Sequence, residues 1–322
     1  MRKEVIIGAS LLILCVIAIG IGMYIIFSQK IRKDIPDDKM IPAAFVPKKK
    51  VAIVRIYGEI SFQNRGKEFI GRYFRGADRI IRRLYAIQQN PAVKAVVVRI
   101  NSPGGTVAAT QEIYNQLQEL RKHNKKVVVS ICDIGASGAY YIACAGDKII
   151  ADEGSLIGSI GVIIHVPDLS MLMEKLGVNI QVLKSGKHKD IGAYTRKMTE
   201  EEREILQGVV DDAYQQFYQA VKQSRKNIPE SMLKELADGR IFTGRQAKKF
   251  GLIDELGDYY TAIEIAAQLA GIKGEPIILD EEDPLQWLLE LIECICVPDM
   301  LVQKGYEILT QPCLAYLWRP KL

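Results

Sequence analysis

From Val51 onward, short apolar runs rich in β-branched residues alternate with amphipathic stretches, and this alternation constrains the chain more than any other feature. Val51–Ile56, Val93–Ile100, Lys126–Cys132, Asp147–Ala151, Ile157–Ile164 and Ile180–Leu183 read as strands. Arg75–Gln88, Val107–Arg121 and Asp168–Leu176 read as helices between them, and a further helix starts near Ser137. Near-continuous apolar strands are buried on both faces, so the pattern specifies an α/β domain built on a parallel sheet. After Thr199 the chain turns helical, and Thr199-Glu-Glu-Glu202 is a capping-box opening for a helix reaching Arg225.

The two ends depart from this pattern. Val5 to Phe27 is 23 residues without a charge, long enough to cross a bilayer as a helix. Its apolar core runs out through Met23-Tyr-Ile-Ile-Phe27, without the small-x-small close of a cleaved signal peptide, so it reads as a retained anchor. Arg2 and Lys3 on one flank are answered by Lys30, Arg32 and Lys33 on the other, so charge alone does not orient it. Residues 29–50 carry Pro36, Pro42 and Pro47 among charges and read as a tether. At the other end Leu285–Val297 is strongly apolar but, at 13 residues, too short to span a bilayer. It reads as a core helix, a subunit contact or a helix lying on the membrane surface. The expected organisation is a transmembrane anchor over 1–28, a linker over 29–50, an α/β domain over 51–275 and an apolar extension over 276–322.

The net charge of +5 is modest, and much of the excess sits at Lys30–Lys33 and Lys48–Lys50 beside the apolar segment. With no zinc-knuckle or RNP pattern, a nucleic-acid partner is not expected. Cys15, Cys132, Cys144, Cys294, Cys296 and Cys313 form no C-x-x-C pair and no metal-ligand spacing, so no metal is expected. The first three read as small buried hydrophobes; a disulfide among the last three stays open.

Two stretches carry candidate chemistry. After the strand Val93–Ile100 comes Asn101-Ser-Pro-Gly-Gly-Thr106, where a glycine pair at a helix start leaves backbone N–H groups approachable by an oxyanion. Past Lys126–Cys132 comes Gly135-Ala-Ser-Gly-Ala139, which puts Ser137 at the turn from strand into helix. Such a serine has an exposed hydroxyl and free neighbouring N–H groups, as at a nucleophile elbow, although Ala139 stands where G-x-S-x-G needs glycine. Close helix–sheet packing through the same small residues is the competing reading.

A nucleophile needs a base, and the chain has three histidines. His123 lies in the charged stretch Arg121–Lys126, His165 ends an apolar strand, and His188 sits in Lys184-Ser-Gly-Lys-His-Lys-Asp190. A desolvated lysine is the other route, and Lys184, Lys187 and Lys189 are all eligible by composition. Ser231-Met-Leu-Lys234 matches S-x-x-K, but it opens an amphipathic helix after Pro229 and has no S-D-N or K-T-G companion in the right order.

Five blocks, RINSPGG (99–105), GASGAYYIACAGDKI (135–149), GSIGV (158–162), KSGKHKDIG (184–192) and DGRIFTGRQAKKFGLIDELG (238–257), occur in order over roughly residues 50–270. Together they resemble the signal peptide peptidase A family of membrane-anchored serine proteases. The resemblance implies a ClpP/crotonase-like fold, a repeated β-α-β core with a parallel sheet, here preceded by one transmembrane helix. It implies Ser137 as nucleophile, Lys189 as general base, and the N–H groups of Gly104 or Gly105 and of Gly138 as the oxyanion hole. It further implies no cofactor, hydrophobic peptides such as remnant signal peptides as substrates, and a ring-like homo-oligomer. The expected setting is a single-pass protein of the cell membrane, in contact with lipid through its N-terminal helix, its catalytic domain outside the cytoplasm. Three features depart from the family pattern: Ala193-Tyr194 in place of Ser-Pro, Ile157 where Thr is usual, and the apolar tail. Three other readings remain: a related Ser–Lys membrane protease trimming one integral membrane protein, a crotonase-type acyl-CoA enzyme, and a non-catalytic membrane scaffold.

Overall fold

The computed structural model describes residues 49–62 and 76–280, and the backbone of 315–317. The expected anchor over 1–28 and nearly all of the linker over 29–50 lie outside the described residues, as do Cys15, Cys294, Cys296 and Cys313. Among the described residues, no helix is long and apolar enough to cross a membrane.

The first half alternates strand and helix: β1 (Lys50–Tyr57), α1 (Ala77–Gln89), β2 (Val93–Ser102), β3 (Gly104–Thr106), α2 (Val107–Lys122), β4 (Lys126–Ala136), α3 (Gly138–Ala143) and β5 (Lys148–Ala151). Next come β6 (Leu156–Gly158), α4 (Ser170–Lys175), α5 (Glu200–Ser224), α6 (Glu230–Leu236), β7 (Ile241–Thr243) and α7 (Gly244–Phe250). β8 (Glu255–Leu256), α8 (Tyr259–Leu269), β9 (Ile277–Leu279) and β10 (Ala315–Leu317) complete the order.

The main sheet runs β7-β6-β4-β2-β1-β9. β4 pairs with β5 through Val128–Ile131 and with β6 through Ile134–Ala136, and β8 adds to β5. Its pairings are parallel except β6 with β7. This is the expected α/β architecture, and β9 carries it past residue 275. Both faces are covered, which is why the strands read as continuous apolar runs. Val54, Ile56, Val96, Val98, Val129 and Ile131 pack with α1, α2 and α3, while Val51, Ile53, Val97, Val128 and Ile150 pack against α8.

Two expected strands differ. Ile157–Ile164 is regular only through Gly158, because Gly158 (φ 101°) and Ser159 (φ 50°) turn the chain off the sheet with two successive left-handed residues. Ile180–Leu183 forms no strand at all. Its apolar side chains are exposed, Leu183 completely (100%), so no sheet neighbour or core holds it extended. The expected helix over 168–176 is α4, and none of its residues is buried.

The C-terminus of α5 is tied into the sheet by charge. The Arg225 guanidinium (side chain 6% exposed) donates to Asp254 at 2.9 Å, and Asp254 accepts the Ile149 N–H at 2.8 Å. Burial alone would push the Asp254 carboxyl up, but the Arg225 charge and its hydrogen bond outweigh it and hold the carboxyl below the usual range. Arg225→Met leaves that carboxylate without its buried partner and is expected to cost about 3 kcal/mol, read as a lower urea midpoint.

Candidate active site

Ser137 is the hinge between β4 and α3. β4 ends in small residues for a packing reason: a Cβ on Gly135 would come within 2.7 Å of the Ile131 side chain. Ser137 itself has φ 56° and ψ −123°, a backbone region that non-glycine residues rarely enter. Such strain costs of order 1–3 kcal/mol and persists only where the surroundings impose it.

Here they do. Ser137 N–H donates to the Gly158 carbonyl at 2.7 Å, and Tyr141 N–H donates to the Ser137 carbonyl at 3.0 Å. The helix that follows is buried throughout, and Tyr140 Oη donates to the Leu252 carbonyl at 2.7 Å. Gly158 is held in turn, since a Cβ there would lie 2.9 Å from Phe242, and Ser159 N–H donates to the Arg240 carbonyl at 2.8 Å. The GSIGV and DGRIF blocks therefore act together as the support of Ser137, a role their sequence did not announce. Gly138 N–H, in the first turn of α3, has no intrahelical acceptor.

The glycine strand β3 is shaped by two different constraints. Gly104 takes φ 103°, and its N–H donates to Ser102 Oγ at 3.1 Å inside the core. Gly105 is needed for close approach, because a Cβ there would sit 1.8 Å from the Ile60 carbonyl oxygen. Ile60 N–H donates to the Gly104 carbonyl at 2.9 Å, and the Ile60 carbonyl accepts the Thr106 N–H at 2.8 Å. Since alternate residues of a strand direct their amides to opposite edges, Gly105 presents its N–H away from Ile60. That other edge is covered by the chain's own C-terminal segment: β10 pairs antiparallel with β3, Tyr316 opposite Gly105 and Leu317 opposite Gly104. Of the apolar extension over 276–322, residues 277–279 and 315–317 are thus strands, and Leu285–Val297 lies outside the described residues.

The three lysines left open by composition are not equivalent. Lys184 Nζ donates to Asp190 at 2.6 Å and to the Lys187 carbonyl at 2.9 Å, and Lys187 pairs with Glu201. Lys189 is exposed on the same turn and makes no side-chain hydrogen bond or ion pair among the described residues. Within one chain Ser137 is buried (1% exposed), and no hydrogen bond joins it to Lys189.

The remaining candidates are accounted for. His123 caps α2, with its Nδ1 2.8 Å from the Glu119 carbonyl; His165 is exposed; His188 Nε2 lies 3.4 Å from Glu201. Burial raises the Cys132 thiol and pushes the Cys144 thiol up to about 12, so both stay protonated near neutrality and neither is a ready nucleophile. Ser231 and Lys234 are exposed on α6, a surface turn as expected. Among the described residues no cluster of His, Cys, Asp or Glu could hold a metal ion.

The model of peptidase family S49 matches residues 119–273. A provisionally named protease of Synechocystis sp. is 41% identical over 238 residues, covering 74% of this chain and 80% of that protein. A provisionally named signal peptide peptidase SppA of Enterococcus faecium is 37% identical, covering 65% of this chain and 60% of its own. The chloroplastic serine protease SPPA of Arabidopsis thaliana is 34% identical over 69% of this chain and 33% of its own length. An α/β core carrying the five blocks, a strained serine at the strand–helix junction and relatives of this kind lead to one conclusion: the chain belongs to peptidase family S49, the SppA family of serine proteases.

Proposed function

We propose that the chain is a membrane-anchored endopeptidase that cleaves hydrophobic peptides, remnant signal peptides among them, with a Ser137–Lys189 dyad. The observation that carries this reading is the strained Ser137 backbone, held at the start of α3. Neutral Lys189 takes the Ser137 Oγ proton as the oxygen attacks the peptide carbonyl carbon, and the carbonyl π pair moves to oxygen. Gly138 N–H and Gly105 N–H receive that oxyanion, while Gly104 and Ser102 shape the strand that presents it. The lysine ammonium then protonates the leaving amine as the C–N bond breaks. Water, deprotonated by Lys189, hydrolyses the acyl-enzyme.

The anchor is Val5–Phe27, which contacts lipid and holds a ClpP/crotonase-like domain on the extracytoplasmic side of the cell membrane. A ring-like homo-oligomer fits the exposed apolar segment that includes Met171, Leu172, Leu176, Val178 and Leu183. Fluorophosphonate labelling tests the dyad: label must appear on Ser137 and be lost in Lys189→Ala. Mixing Ser137→Ala chains with Lys189→Ala chains locates it. Activity that returns on mixing assigns the dyad to a contact between copies, and activity that stays absent assigns it to a single chain.

An extended substrate would pair with β3 along the edge that β10 covers, main chain to main chain. A chain ending at Asp280 is then expected to show a KM about tenfold lower for extended apolar peptides, with kcat within about twofold, because the competent state is no longer shared with the tail. An unchanged KM with a smaller particle in light scattering would make the tail a subunit contact instead.

A further inference from the structure

Lys189 sits on an irregular segment, and what surrounds it is charged. Lys184, Lys187 and His188 precede it, Asp190 follows it, and the nearest regular element is the N-terminal turn of α5 with Glu201 and Glu202. One residue connects Asp190 to Glu202. Arg196 donates from Nε to Asp190 Oδ2 and from Nη2 to Asp190 Oδ1, both at 2.9 Å. With the same guanidinium it donates from Nη1 to Glu202 Oε2 at 2.8 Å and from Nη2 to Glu202 Oε1 at 2.5 Å. Glu202 is buried (2% exposed) and closes the capping box with Thr199, so this end of the bridge is fixed in the fold.

We propose that Arg196 is a positioning residue for Lys189: it fastens the lysine's turn to α5 and keeps Asp190 engaged, so that the Lys189 amine is left unpaired. The inference rests on the Ser137–Lys189 reading above. Two physical demands meet in it. A base on an irregular segment must be held in place, and about an ångström of misplacement costs on the order of a hundredfold in rate. It must also lose its proton near neutral pH, and a free carboxylate one residue away opposes this by favouring the ammonium. Arg196 and Lys184 together occupy both oxygens of Asp190. They hold its carboxyl far below the usual range, and Arg196 with the Thr199 N–H holds that of Glu202 at about 2, so both stay ionised throughout the working pH range. The other charges on the segment are spoken for: Lys187 and His188 face Glu201, and Asp168 faces Lys197.

The test is the pH profile of kcat/KM for full-length Arg196→Gln, Arg196→Lys and Asp190→Asn on an extended apolar peptide. Arg196→Gln is expected to lower kcat about 10–100-fold with KM within about twofold. It should also move the acid limb up by about one pH unit, because Asp190 turns to Lys189. Asp190→Asn moves the limb the opposite way, since only the positive neighbours remain, and adding it to Arg196→Gln brings the limb back without restoring kcat. Arg196→Lys recovers part of the rate. Limbs that stay put, or that move in the same direction in both single variants, overturn the proposal, even where Arg196→Gln is poorly folded, because Asp190→Asn leaves the Glu202 end of the bridge intact. If Lys189→Ala is as active as wild type, the dyad reading itself has failed, a result distinguishable from any of these.

Discussion

Ser137→Ala is expected to lower peptide hydrolysis by about 10⁴-fold or more, and Lys189→Ala by a similar factor, with the double variant little worse than either. The non-additivity follows from the chemistry: a nucleophile without its base, or a base without its nucleophile, does the same nothing. Ser137→Ala preserves the local packing, because among the described residues the side chain makes no hydrogen bond whose loss would unsettle the turn. Its thermal midpoint should therefore stay near wild type, or rise slightly. Ser137→Cys is the sharper variant. A thiol at the same strained position should be alkylated quickly while Cys132 and Cys144 stay slow, since burial keeps both of those protonated. Full turnover by Ser137→Ala on several apolar peptides would remove Ser137 from the mechanism.

Gly105→Ala should produce the second-largest loss, about 10²–10³-fold in kcat, the amount typical of a displaced oxyanion donor. The new Cβ would lie 1.8 Å from the Ile60 carbonyl oxygen and 2.6 Å from its nitrogen. Backbone cannot yield as a flexible side-chain tip does, so β3 must move off Ile60. That motion breaks the Ile60 N–H bond to Gly104 and the Thr106 N–H bond to Ile60, the pair that aims Gly105 N–H at the opposite edge. The matched control is Gly208→Ala in the middle of α5, where a Cβ meets nothing within 4 Å. It should leave kcat unchanged and add up to about 1 kcal/mol of stability. Equal activity of Gly105→Ala and wild type would mean that β3 presents no catalytic donor.

How much of this was legible beforehand can be judged residue by residue. Strand and helix followed from periodicity wherever the element packs in the core: β2, α2 and β4 sit where Val93–Ile100, Val107–Arg121 and Lys126–Cys132 were expected, give or take a few end residues. Periodicity failed at Ile180–Leu183, because an apolar tetrapeptide reads as a strand whether or not a neighbour is there to pair with it. It also ran past Gly158, because a left-handed φ at Ser159 carries no sequence signature. Ser137 was recognisable as a junction residue, whereas composition left Lys184, Lys187 and Lys189 equivalent and only the family resemblance implied Lys189.

The amino-acid sequence by itself determined the α/β class, the serine at the end of β4 and the membership in a protease family, because each depends on local pattern or on ordered motifs. The tertiary structure alone decided what supports them. Gly158 holds Ser137, Ile60 forces Gly105 to be glycine, Arg196 ties Asp190 to Glu202, and Tyr316 lies opposite Gly105. Three of these contacts join segments far apart in the chain, and the fourth depends on how one turn folds back. Their partners are chosen by backbone approach and charge geometry, quantities that do not exist until the sheet has brought the segments together.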